Sequence, residues 1–222
     1  MPSPRRISLA LTAWGVALVV RTGLAWTHAA AQPGKRADWG SASVSADSRQ
    51  LADWVARTGD HQGQSFFVID KPSATMFVFD GNARLRASTP ILLGAAVGDD
   101  SVEGIGSRPM AQILASERTT PAGRFVAEMG RNLQGEDVVW VDHAAAVSMH
   151  RVRTNNAQER RLERLSTPSV ADNRISYGCI NVPVAFFNTH VQAVFASSRT
   201  AVVYLLPETR SVQEQFRLPA PR

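Results

Sequence analysis

Phe66-Phe67-Val68-Ile69, Thr75-Met76-Phe77-Val78-Phe79 and Arg84-Leu85-Arg86-Ala87-Ser88 decide the fold class. Each is a short run of β-branched, aromatic or alternating residues. The turn formers Lys71-Pro72 and Asp80-Gly81-Asn82 separate them, so together they predict a meander of strands. Ile91 to Val97 is read as continuing the sheet, before a Gly- and Asp-containing loop from Gly98 to Arg108. Val126 to Met129, Val138 to Val141, Val147 to His150 and Ala201 to Leu206 add further strands.

Two helices are expected. Ala46 to Arg57 carries Leu51, Trp54 and Val55 at the spacing of one helical face, with serines ahead and Gly59 beyond. Val182 to Ala196 places Val184, Phe187, Val191 and Phe195 on one face, and Pro183 is tolerated in its first turn. The chain of 222 residues suits one domain. No internal repeat, metal-ligand spacing or phosphate-binding glycine loop is present in the sequence, and neither metal nor cofactor is expected.

The N-terminus reads as an export signal. Arg5 and Arg6 precede an apolar run from Ile7 to Val20, and Ala29-Ala30-Ala31 offers a small-residue cleavage site. That run is shorter than the roughly 20 residues of a membrane span, although an uncleaved N-terminal anchor is the alternative. Residues 1–31 are therefore assigned to a signal peptide, 32–62 to a leader and short helix, 63–207 to the main domain and 208–222 to a tail. Residues 1–31 hold three arginines and no acids, so the remainder has a net charge of +2 instead of the +5 of the whole chain. That balance gives little support to a nucleic-acid partner. No stable membrane partner is expected either.

An exported chain with a single cysteine, Cys179, is unusual, because cysteines in oxidising compartments commonly pair. A small buried hydrophobe is one reading of it. The other comes from its neighbours, Ile175-Ser176-Tyr177-Gly178-Cys179-Ile180-Asn181, which end where the late helix is expected to begin. A helix start would stabilise a thiolate, and the N–H groups around Gly178 and Cys179 could receive an oxyanion. Of the five histidines, His28 would leave with the signal, while His61 and His190 read as structural or exposed. His143 and His150 remain as candidate bases, and His150 ends an apolar strand, where a rigid element can deliver a side chain to a site.

Val147-Ser148-Met149-His150 followed by Ser176-Tyr177-Gly178-Cys179-Ile180-Asn181 resembles the signature of L,D-transpeptidase catalytic domains of the YkuD type. Thr119-Thr120-Pro121-Ala122-Gly123 resembles the Thr-Pro-x-Gly segment ahead of the histidine in that family. The resemblance covers roughly Gly63 to Pro207. It implies a mainly β fold with minor α, a sandwich-like catalytic domain with a helix after the cysteine, and a cysteine thioester formed from a peptidoglycan stem peptide. The acyl group would pass to an amine, making cross-links, or to water in an L,D-carboxypeptidase reaction. Carbapenem inhibition is part of the same expectation, and the location would be the periplasm or cell envelope. Carried over by position, Cys179 is the nucleophile, His150 the base, and Ser176, Tyr177, Gly178 and Asn181 the supporting or substrate-binding residues.

Other roles stand beside these: Asn181 as a helix cap, and Ser176 and Thr120-Pro121 as turn residues. Two departures from the family pattern mark this chain. Tyr177 stands where histidine is common, and the stretch between His150 and Ser176 is longer and rich in arginine. That stretch reads either as a solvated helix with Leu162 and Leu165 inward or as a basic lid. A non-catalytic cell-wall binding or regulatory protein on a degenerate copy of the domain is the competing function. A papain-like protease fits poorly, because its cysteine precedes its histidine.

Overall fold

The computed structural model describes residues 34–219. The signal-peptide reading of residues 1–31 and its cleavage after Ala31 lie outside them. Helix α1 (Ala46–Thr58) follows Ser45, whose side chain accepts from the Ser48 N–H, and it ends at left-handed Gly59. Strands β1 (Phe66–Asp70), β2 (Thr75–Phe79) and β3 (Leu85–Pro90) form the expected meander. β5 (Gly123–Arg131), β6 (Asp137–Asp142), β7 (Val147–Arg151), β9 (Ile180–Val182) and β10 (Thr200–Leu205) complete one eight-stranded sheet in the order β3-β2-β1-β10-β5-β6-β7-β9. The β1–β10 and β7–β9 pairings are parallel and the other pairings in this sheet are antiparallel. The fold is mainly β with a few helices.

Alternation along the strands divides the interior in two. Phe67 and Ile69 of β1, Met76 and Val78 of β2 and Val203 and Leu205 of β10 join one core with Val139, Met149, Ile180 and Phe187. Their neighbours Phe66, Val68, Phe77, Phe79, Val202 and Tyr204 face the other way and pack under Leu51, Ala52 and Val55 of α1. Buried on both faces, these central strands read as continuous apolar runs. The second core also takes Val212 of α5 (Val212–Phe216) and Leu218, from the stretch read as a tail.

Ile91 to Gly94 does not extend the sheet in the manner expected of Ile91 to Val97. The Ile91 N–H donates to Ala74 O, Leu92 exchanges backbone hydrogen bonds with Asn181, and β4 (Leu93–Gly94) pairs with β8 (Arg174–Ser176) in a separate two-stranded sheet. The segment therefore ties the β2 end of the large sheet to its β9 end. Proline at position 90 lacks the N–H that would carry the β3 ladder onward, so the chain leaves the edge there.

The late helix also differs from expectation. Val182 ends β9, and Pro183 is the cap of a helix built from α3 (Val184–Phe186), a π turn at Phe187–Val191 and α4 (Gln192–Ser197). The π turn shifts the face by part of a turn. Phe187 and Val191 are buried while Val184 is exposed, so Val184 does not share their face. Helix α2 (Arg161–Ser166) lies in the basic stretch, with Leu162 exposed at 59% against the inward orientation expected of it.

Lys71, read as a turn former, is wholly buried. Its ammonium donates to Gly98 O at 2.6 Å, Thr120 O at 2.9 Å and Asp99 Oδ1 at 3.1 Å, with Glu208 at 3.6 Å. Burial pushes its pKa down to about 8 against the opposing pull of Asp99. Asp99 also accepts from the backbone N–H groups of Glu208, Thr209 and Arg210. One ammonium thus joins the first hairpin, the loop after β4, the turn before β5 and the C-terminal segment. Removing it would leave the buried Asp99 and Glu208 with Arg210 and Arg174 as their remaining cationic partners and three acceptors without their donor, so Lys71→Met should cost about 3 kcal/mol. Urea unfolding should show this as a lower midpoint with an unchanged slope, and a midpoint equal to the parent's would refute it.

Candidate functional site

The β7–β9 register builds the site. Met149 pairs with Ile180 and His150 with Asn181, and Val147, Met149, Ile180 and Val182 all enter the core. With a period of two, Ser148, His150, Cys179 and Asn181 are left together on the opposite face. Ser148 Oγ lies 3.6 Å from Cys179 Sγ, and the thiol also reaches Ala146 O at 3.7 Å.

His150 Nδ1 is 2.8 Å from Arg151 O. A carbonyl can only accept, so Nδ1 carries the hydrogen and Nε2 is the basic nitrogen. Burial pushes the Cys179 thiol up, but the hydrogen bond and charge of His150, with Ser148 beside it, outweigh this and hold it below its ordinary value. The arrangement can therefore supply a thiolate with an adjacent proton acceptor.

The expected helix-start contribution is not part of this geometry. Cys179 precedes a strand, and the helix begins at Val184 beyond Pro183, so the helix dipole is not at the thiol. Asn181 is correspondingly no helix cap. It is fully buried within β9, donates from Nδ2 to Cys179 O at 3.2 Å and accepts at Oδ1 from Arg161 Nη1 at 2.5 Å. The basic stretch therefore reaches the site through Arg161, while Arg164 turns back to Glu159 O and Asp172 O.

Ser176 is a buried turn residue: its hydroxyl donates to Cys179 O at 2.6 Å and accepts from the Gly178 N–H at 3.1 Å. That N–H is consequently occupied and does not serve as the free oxyanion donor anticipated for it. Gly178 has φ +128°, and a Cβ there would lie 2.8 Å from Thr119 O, so only glycine fits without movement. Thr120 holds the same turn from outside, donating to Gly178 O at 2.8 Å while accepting from the Gly94 N–H at 2.8 Å. Tyr177 lies under the Arg118 guanidinium, 3.8 Å from the ring centroid.

His143, the other candidate base, sits on the β6–β7 turn and faces Glu128 at 3.1 Å. Ser148 and Arg118 were not among the residues singled out from sequence. The period-two position of Ser148, two before His150, could have identified it. Arg118 has no such signal, because a long excursion after β4 brings it to Tyr177. Among the described residues, no group of three or more His, Cys, Asp or Glu side chains could hold a metal ion. No helix there is long and apolar enough to cross a membrane.

By sequence, neither a family model nor a curated protein matches the chain. By structure, its resemblances are to L,D-transpeptidases and a cell-shape protein. An Enterococcus faecium L,D-transpeptidase C442S mutant is 16% identical with a TM-score of 0.35, covering 64% of this chain and 50% of that one. The helical cell shape determining protein Pgp2 from Campylobacter jejuni is 15% identical with a TM-score of 0.43, covering 67% and 49%. The transpeptidase LdtMt1 in complex with imipenem is 16% identical with a TM-score of 0.37, covering 64% and 58%. The chain spans about half the length of these proteins.

Alkylation by iodoacetamide reads the thiol directly. The parent should react with a midpoint below the ordinary cysteine pKa, and His150→Ala should move that midpoint upward because the largest stabiliser of the thiolate is gone. Equal profiles for the two proteins would remove His150 as the partner of Cys179.

Proposed function

We propose that the chain is a cysteine acyltransferase of the L,D-transpeptidase kind, acting on peptidoglycan stem peptides in the cell envelope. The observation that carries this reading is the placement of Cys179, directly ahead of β9, beside His150 on the parallel neighbour β7, with His150 Nδ1 held by Arg151 O and the thiol depressed below its usual range. The Ser176-to-Asn181 motif and the Val147-to-His150 strand supply the link to that chemistry.

In the proposed reaction, His150 Nε2 takes the thiol proton as Sγ attacks the carbonyl of the stem peptide's L,D bond. The tetrahedral carbon collapses to a thioester, and the departing amine takes the proton from His150. An acceptor amine, or water, then gives its own proton to Nε2 and displaces Sγ. Ser176, Thr120 and Asn181 hold the turn that carries the nucleophile, and Gly178 admits its close backbone packing. No cofactor enters this scheme. An export signal in residues 1–31 would put the protein outside the cytoplasm, where its substrate would be.

Incubation with a carbapenem should give a stable covalent adduct, located by mass spectrometry on Cys179 and absent from Cys179→Ala. Stem tetrapeptide turnover should disappear in the same variant. A folded parent that neither forms the adduct nor turns over stem peptides would favour the non-catalytic wall-binding reading.

A further inference from the structure

Of the two groups that form hydrogen bonds with the Cys179 thiol, one can only accept. Ala146 O lies 3.7 Å from Sγ and suits the neutral thiol, whose S–H can donate to it. Ser148 Oγ, at 3.6 Å, carries a hydrogen of its own. Once the thiol proton is lost, Ala146 O has nothing left to accept, whereas the Ser148 hydroxyl can turn and donate to the anion. The hydroxyl thus tells the two forms of the sulfur apart.

Neighbouring donors are committed elsewhere. The Ser176 hydroxyl and Asn181 Nδ2 both donate to Cys179 O, the Gly178 N–H donates to Ser176 Oγ, and the following helix starts beyond Pro183. Among the described hydrogen bonds, the Ser148 hydroxyl has Cys179 Sγ as its one partner. Ser148 is 6% exposed, so water competes little for that hydroxyl. Its place is also fixed: Val147 and Met149 on either side are buried in the core, and pairing with Trp140 holds the backbone. With His150, Ser148 holds the thiol down against the burial that pushes it up.

Resting on the acyltransferase reading, we propose that Ser148 is a catalytic residue of the release half of the reaction, its hydroxyl receiving the sulfur anion as the acyl group departs. While acylated, Sγ is a neutral thioester sulfur and a poor acceptor, which leaves a buried hydroxyl without its partner. An incoming amine or water gives its proton to His150 Nε2 as it adds to the carbonyl. The tetrahedral carbon then collapses, the C–S bond breaks, and its electron pair returns to Sγ as thiolate. The Ser148 O–H gains a charged acceptor at that point, so its hydrogen bond strengthens as the leaving group forms. The proton on Nε2 finally passes to Sγ and restores the thiol. A stabilised thiolate leaves faster but attacks less readily, so this hydroxyl acts in opposite senses on the two halves.

The test times the two halves separately with small reagents that need no peptide groove: p-nitrophenyl acetate to acylate Cys179 and hydroxylamine to release the thioester. Intact mass follows both steps in the parent, Ser148→Ala and Ser148→Thr, at a pH above the iodoacetamide midpoint of all three. Release should be about tenfold slower in Ser148→Ala, the size of one hydrogen bond to a charged group, with acetylation unchanged or faster. Ser148→Thr keeps the hydroxyl and should release near the parent's rate. If the threonine methyl crowds the strand, Ser148→Ala decides alone. Release at the parent's rate in Ser148→Ala, or both steps slowed alike as a structural defect would give, would overturn the role of Ser148. A stem tetrapeptide run in parallel tests the reading beneath it. Acetyl-Cys179 in a protein that neither turns over the tetrapeptide nor is acylated by it would remove stem peptides as the donor and leave Ser148 to be judged on its release rate. A parent thiol that takes neither acyl group would end both.

Discussion

The parallel pairing of β7 with β9 is the constraint on which the site depends. Met149 opposite Ile180 and Val182 beside them are committed to the core, so the alternate positions have no freedom about where they point. A slip of one residue would carry Cys179 inward and bring Ile180 out. The hydrophobic core thereby enforces the placement of the site: burying three apolar side chains leaves the thiol, the imidazole and a hydroxyl on one face. The Leu92–Asn181 hydrogen bonds secure β9 from its other side, which makes the short strand a rigid element despite its three residues.

Much of this was legible because strands and site share one signal. The alternation in Val147 to His150 identified both the strand and the candidate base, and the meander from Phe66 to Ser88 was bounded by turn residues of plain chemistry. The late helix misled because apolar spacing does not distinguish Val182, ending a strand, from Val184, opening a helix. The π turn then broke the assumed periodicity. Lys71 was hidden for a different reason. A lysine beside proline reads as an exposed turn, and the carboxylates that bury it, Asp99 and Glu208, are distant in sequence. Only tertiary structure assembles such a group.

Losing the helix start as a stabiliser moves the burden onto His150. Desolvation alone would raise the thiol, so its depressed pKa is a balance between burial and one imidazole with Ser148 in support. This makes the site more dependent on the geometry of β7 than a helix-capped cysteine would be. That geometry is in turn held at Arg151, whose carbonyl fixes the imidazole and whose guanidinium is tied to Asn188 in the π turn. The irregular turn that defeated helical periodicity is thus the element that anchors the end of the strand carrying His150.

The arginines around Cys179 share a pattern. Arg118 stacks on Tyr177, Arg161 bonds to Asn181, and Arg151 is anchored to Asn188. Each is positioned by a neutral partner, although Arg161 also pairs with Glu159. None of the three is among the groups that hold down the thiol's pKa, so their charge acts on the surroundings of Cys179 more than on the thiol itself. Direct ion pairing would have fixed these side chains equally well but spent their charge internally. Arg118 and Arg151 thus keep their positive charge near the thiol without placing a cation against it, whereas the charge of Arg161 is offset by Glu159.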